Sequence, residues 1–293
     1  MTRDAFRARN EGAMKRHLLT ACLALAMIGA GSVCRAEADR EAPGLWAGTA
    51  KVDITPPEDV AVDILGQSLR LRDRLQARVL VLKDRSTSLA IVAVDAIVFA
   101  SPKVVAEAKA KHGVEHVILS ATHTHASTVP RGLVIKPPRS PDWTRTGKSP
   151  DETVDWPGLS ADPWYAETEA KIVAAIGQAM RNLFAARIVA GQGPFESAYM
   201  AHNRRLVRDG QVIAMWENPD RRPTQPIDPT VGVIRVDDAT GKPRALAVHY
   251  ACHAVALMGA GALSRDFPGA MVDHVEQQDR KSTRLNSSHI TIS

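Results

Sequence analysis

Cysteine is almost missing from this chain. Three occur in 293 residues, and Cys22 and Cys34 fall in an N-terminal apolar stretch. Only Cys252 is left in the body, so no disulfide can form within it. Stability must then come from an apolar core or a bound metal. A second long apolar run is also missing. Beyond Leu18–Val33 no stretch of about twenty apolar residues occurs, which predicts a soluble body. Net charge is missing from the body too. The whole chain is +5, but residues 39–280 carry 29 Lys/Arg and 29 Asp/Glu. The sequence pI of about 9.2 therefore comes from the two ends. It gives no ground for a nucleic-acid partner or for attraction to anionic membranes. There is no internal repeat. A phosphate loop is excluded as well: RTGKSP has its late Gly-Lys-Ser, but Asp142 stands where the first glycine belongs and no strand precedes it.

The two ends read differently from the body. Met14–His17 is a short basic region, Leu18–Val33 is apolar, and Ala36-Glu37-Ala38 offers small residues two apart. That pattern predicts a signal peptide over residues 1–38, with Met14 the more natural start, and a secreted or periplasmic protein. A retained membrane anchor is the alternative. Val33 argues against lipid attachment at Cys34. At the other end, DRKSTRLNSSHITIS does not continue the domain pattern. Residues 281–293 resemble a translated sequencing-adapter tail and are expected to lie unpacked.

The 240 or so residues between can bury a sizeable core. Strands are expected at 45–54, 76–84 and 88–95, the last two as a hairpin. The second of that pair is apolar almost throughout, as a strand covered on both faces would be. Ser101-Pro102 opens a helix that Gly113 stops, and EHVILS (115–120) follows as a short buried strand. Strand, helix, strand in that order suggests a βαβ unit. Pro130–Asp162 holds six prolines with Trp143 and Trp156, the texture of a functional rim or lid, or of a disordered segment. Asp162-Pro163 starts a second helix to about Phe184. Strands follow at 186–195, 211–216, 231–236 and 245–250, with a hairpin turn at DATGK (238–242). A last helix is expected at 270–278.

Three histidines stand at strand ends. His123 and His125 are two apart, so in extended backbone both point to one side about 7 Å apart. That is near enough to share a metal or to divide metal and substrate duties. A pair of polar loop histidines is the plainer reading of the spacing. His253 follows an apolar strand in the same way, with His249 four residues back. Taken singly it reads as a strand-end histidine bonded to backbone. Asp266, ahead of Pro268-Gly269, reads as a helix cap, and Arg204 as a surface cation.

Five segments in one order change that balance: TAKVDITPP, ILSATHTHAS, the Asn-Arg of AHNRR, DPTVGVIRVDDATGKPRALAVHYACHA and SRDFPGA. Together, from Trp46 to Gln278, they resemble the N-terminal catalytic region of neutral, non-lysosomal ceramidase-like hydrolases. The resemblance implies a fold of mixed α/β class, with layered β-sheets and flanking helices. It implies Zn2+ held by His123 and His253, with His125 and Arg204 as catalytic groups lining the site. The remaining Glu and Tyr ligands and the serine nucleophile of that family lie beyond the last matched segment, so residues 39–280 are expected to be a partial catalytic domain, inactive as written. Ala126-Ser127 and Ala254-Val255 depart from the family's usual residues. The resemblance thus bears on the superfamily more than on ceramide.

The expected function is an exported zinc-dependent hydrolase cleaving an amide, N-acylsphingosine foremost. A hydrolase of the same fold acting on another amide or ester is the first alternative, and a secreted binding protein without catalysis is the second. The implied partners are a lipid-like amide substrate and peripheral contact with a membrane. Oligomeric state is left open.

Overall fold

The structure is a computed structural model that describes residues 44–63, 66–130, 159–195, 205–215, 227–283 and 288–292. The expected signal peptide, most of the proline-rich loop (131–158) and Arg204 lie outside them. Most strands join one sheet of eight. Strand β1 (Trp46–Asp53) lies between β3 (Gln76–Lys83) and β6 (Phe184–Pro194). On one side β3 is followed by β4 (Ser88–Val94) and then β5 (His116–Ala121). On the other, β6 is followed by β9 (Thr230–Asp238), β10 (Pro243–Tyr250) and β12 (Ser288–Ile292). Two small pairs stand apart, β2 (Arg70–Leu71) with β11 (Ala262–Leu263) and β7 (Arg205–Arg208) with β8 (Gln211–Met215).

The expected hairpin β3–β4 forms in antiparallel register, Ala77 opposite Val94 and Lys83 opposite Ser88. From β4 the chain crosses over through α1 (Pro102–His112) and returns as β5, parallel to β4. This is the βαβ unit expected from the order of elements. Local chemistry fixes the helix ends. The Ser101 side chain accepts from Val104 N, Pro102 opens the first turn, and Gly113 closes the helix at φ 67°. In α2 (Pro163–Arg181), Asp162 caps the start by accepting from Tyr165 N. The stripe Ile172, Ala175, Ile176 and Ala179 is buried.

Alternation along β3 and β4 explains why apolar residues occur on both of their faces. Val79, Val81, Val92 and Val94 pack with α1 and α2 in one core, with Val104, Ala108 and Ile176. Leu80 and Ala93 point the other way, into a second core with Ala47, Val236 and Ala245. Strands β9 and β10 therefore cover the face that the helices leave open. Strand β1 joins the two halves through only two register pairs with β6, at Trp46 and Ala47. The result is layered, with helices on one side and the second half of the sheet on the other. This is the mixed α/β architecture expected from the sequence.

Two expectations at the C-terminal end are corrected. The last helix, α3, spans Asp266–Thr283, longer at both ends than the expected 270–278. The tail expected to lie unpacked instead supplies β12, parallel to β10 from Ala245↔Ser288 to His249↔Ile292. It adds at the edge of the sheet beside β10, and its backbone also lies against β3, β4 and β1. The open edge of β10 offers a row of backbone donors and acceptors that an extended segment can satisfy whatever its side chains.

Candidate metal centre

The centre is built at the ends of strands whose chemistry is buried below it. Strand β4 stops at Val94, and its carbonyl accepts from Thr122 N at 2.9 Å. Beneath this junction Asp95 is fully buried and paired with Arg78 at 3.1 Å. The Thr122 hydroxyl also reaches Asp95, at 3.4 Å. Burial raises the Asp95 pKa above the usual carboxylate range, against the pull of the Arg78 charge and hydrogen bond. The chain leaving β5 is thus tied to β4 by backbone and by a buried polar group before it reaches His123.

His123 adopts a left-handed backbone, φ 57°, uncommon for a residue with a Cβ. The extended geometry expected for His-Thr-His therefore breaks at its first member. The turn brings its ring over His253, with centroids 4.9 Å apart and planes 19° from parallel. Nδ1 of His123 lies 2.6 Å from the Ile97 carbonyl oxygen. A carbonyl can only accept, so Nδ1 carries the proton and Nε2 is left with its lone pair. Metal-ligating histidines are oriented in this way.

His125 and His253 meet edge to face, centroids 4.6 Å apart. Their Nε2 atoms are 2.8 Å apart. The two loops are also joined by backbone, His125 N donating to Ala254 O at 3.0 Å. Burial, then the charges of His253 and His123, push the His125 pKa down to about 4, while Asp266 pulls upward. The ring is neutral at pH 7, as a ligand must be.

One nitrogen from each of the three rings falls within 4.8 Å of the others. The structure thus unites His123 and His253, the two residues expected as ligands, and sets His125 as a third donor as near as they are. His249 is exposed on β10 and stands outside the cluster. Arg204, expected beside the centre, lies outside the described residues.

The donor set fits zinc. Three neutral imidazoles are a common catalytic zinc set with one position left open. Nδ1 of His125 is buried without a hydrogen-bond partner, and its Nε2 faces the His253 nitrogen. Two nitrogens on a tetrahedral zinc stand about 3.3 Å apart, from bond lengths near 2.05 Å. The His125–His253 pair need open by only about half an ångström to accept an ion.

Sequence reasoning undervalued Asp266. It is not a plain cap. Its backbone is left-handed, φ 55°. Its Oδ2 accepts from Leu257 N at 2.8 Å, in the loop after His253. The signal was present, since SRDFPGA is one of the five ordered segments, but its partner lies in another. The Ile97 carbonyl had no signal, because any residue supplies one.

No family model matches the sequence, and no curated protein does either. Solved structures do. Neutral ceramidase from Pseudomonas aeruginosa superimposes with a TM-score of 0.62 at 20% identity, over 86% of this chain and 39% of that one. A ceramidase complexed with C2 gives 0.61 at 21% identity, over 86% and 37%. The chain therefore has the ceramidase fold and spans less than two fifths of the length of these proteins. This agrees with the architecture that the sequence resemblance implied.

Proposed function

We propose that this chain carries part of the catalytic centre of an exported, zinc-dependent hydrolase that cleaves an amide bond, N-acylsphingosine being the first substrate to test. The observation that carries this reading is the convergence of three imidazole nitrogens within 4.8 Å, on loops at strand ends of a ceramidase fold. Bound zinc supplies Lewis acidity toward an amide carbonyl and lowers the pKa of a bound nucleophile. The residues of the chain prepare that chemistry. His123 keeps Nε2 free by donating from Nδ1 to Ile97 O. His125 stays neutral because it is partly buried between two other imidazoles. Arg204, on the strength of the sequence resemblance, is proposed to steady the oxyanion. Export rests on the pattern of residues 1–38, and a lipid-like substrate would bring peripheral contact with a membrane.

A hydrolase acting on another amide or ester is favoured by one observation. Ala126 and Ala254, next to ligand candidates, are both buried, and each stands in a segment where the sequence departs from the ceramidase pattern. The serine nucleophile and the Glu and Tyr ligands implied by the resemblance are assigned to no residue here. The 293-residue chain is therefore proposed to bind zinc without turnover. The test assays residues 39–280 and a version extended past residue 280 on a fluorogenic N-acylsphingosine, with zinc. Turnover is expected from the extended form alone. Comparable turnover by the short form would place the whole catalytic set within these residues. Zinc binding by neither form would refute the metal reading.

A further inference from the structure

Among the described residues, three without a glycine's freedom take a left-handed backbone: His123, Asp209 and Asp266. Asp209 precedes Gly210 in the turn between β7 and β8, where such a conformation is routine. The other two lie at the metal centre. Backbone of this kind persists where surrounding structure enforces it.

What enforces it at Asp266 is a set of bonds to both histidine loops. Its carboxylate spends one oxygen on Leu257 N at 2.8 Å and the other on Phe267 N at 2.5 Å. Two residues earlier, Ser264 N donates to Ala126 O at 2.7 Å. The Thr124 hydroxyl donates back to Ser264 O at 3.0 Å. Ser264 Oγ supports Asp266 N at 3.0 Å and donates to Asp73 at 2.5 Å. Arg265, between them, is held by Asp73 and by a two-bond contact with Asp273. The turn 264–266 is therefore anchored to the body. From that anchor Ser264 grips the loop of His123 and His125, and Asp266 grips the loop of His253.

We propose that Asp266 is a positioning residue for the three-histidine centre, its carboxylate clamping the loop after His253 so that His253 stays against His125. The inference rests on the zinc reading above. Asp266 does not touch the metal in this account. From its left-handed backbone the side chain of Asp266 reaches Leu257 N rather than an amide of its own first turn alone.

The test uses the whole chain and three variants: D266A, D266N and, as a distant control, D238A in the turn between β9 and β10. Zinc affinity is read by competition with a chelator. D266A should bind zinc about 10–100-fold more weakly, the usual effect of losing an outer partner. D266N should lose less, because asparagine keeps one acceptor oxygen and tolerates a left-handed backbone. D238A should match the wild type in zinc affinity. A merely structural role would lower the melting temperature of D266A and leave the affinity of the folded protein alone, and that result overturns the proposal. If D266A does not fold, D266N decides by the same measure. A second readout needs no metal: amide exchange at Leu257 and the imidazole signals of His125 and His253 in the metal-free protein. Both should change in D266N. If the wild type takes up no zinc, the zinc reading fails, and unchanged exchange and imidazole signals in D266N would separately sink the clamp.

Discussion

Nε2 of His125 and Nε2 of His253 lie 2.8 Å apart although 128 positions separate them in the chain. Two imidazoles at that distance share a proton or a cation. On the zinc reading proposed above, they share a cation. Removing His253 or His123 should then act on metal uptake before it acts on folding. H253A and H123A should each bind zinc more weakly by more than the roughly 10–100-fold usual for outer partners. Calorimetric titration with zinc checks this. Wild-type affinity in H253A would exclude it as a ligand.

The Arg78–Asp95 pair, 1% and 0% exposed at 3.1 Å, sits below the start of the His123 loop. Breaking it leaves one buried charge without its partner. R78A or D95A should each cost about 3–5 kcal/mol. Nε and Nη2 of Arg78 already lack partners, so the pair is incompletely satisfied. The double change R78M/D95L should accordingly cost less than either single one. Urea unfolding of the four proteins measures the order.

Strand β1 passes very close to α2. A Cβ on Gly48 would lie 2.0 Å from the carbonyl oxygen of Ala179, a backbone atom that cannot swing away. A Cβ on Gly177 would meet the His112 ring at 2.5 Å, a side chain that can rotate. G48A should cost upward of about 1–3 kcal/mol, the range for overpacking, and G177A clearly less. Thermal unfolding of both variants gives the ranking, and equal losses would contradict it.

Asp238 closes the β9–β10 turn. Its Oδ1 accepts from Thr240 Oγ at 2.5 Å, and from the backbone of Thr240 and Lys242. The Thr240 hydroxyl bond, then the backbone bonds and Arg244, outweigh burial and hold its pKa down to about 2 from 3.8. The folded value is the lower one, so the stability Asp238 adds is complete above the unfolded value. It is lost as pH falls through about 2. The gap in melting temperature between wild type and D238A should be open at pH 6, narrow below about 4, and reach its smallest near 2. A gap that widens with acid would reverse the sign.

The sequence by itself determined the elements whose cause is local. Ser101-Pro102 and Gly113 bound α1 because capping needs only neighbours, and the apolar run of β4 marked that strand as buried on two faces. His123, His125 and His253 could be singled out because each follows an apolar strand. Tertiary structure decided how those pieces meet. The fold of β9 and β10 over β1, β3 and β4 depends on which faces are left uncovered, a property of the assembled sheet. The position of β12 depends on a free strand edge, which composition does not reveal. The partners of Asp266 and His123 are backbone groups, Leu257 N and Ile97 O, that carry no side-chain signature. A strand-end histidine becomes a candidate ligand only when packing brings two distant loops within hydrogen-bond reach, and that distance is set by the cores beneath them.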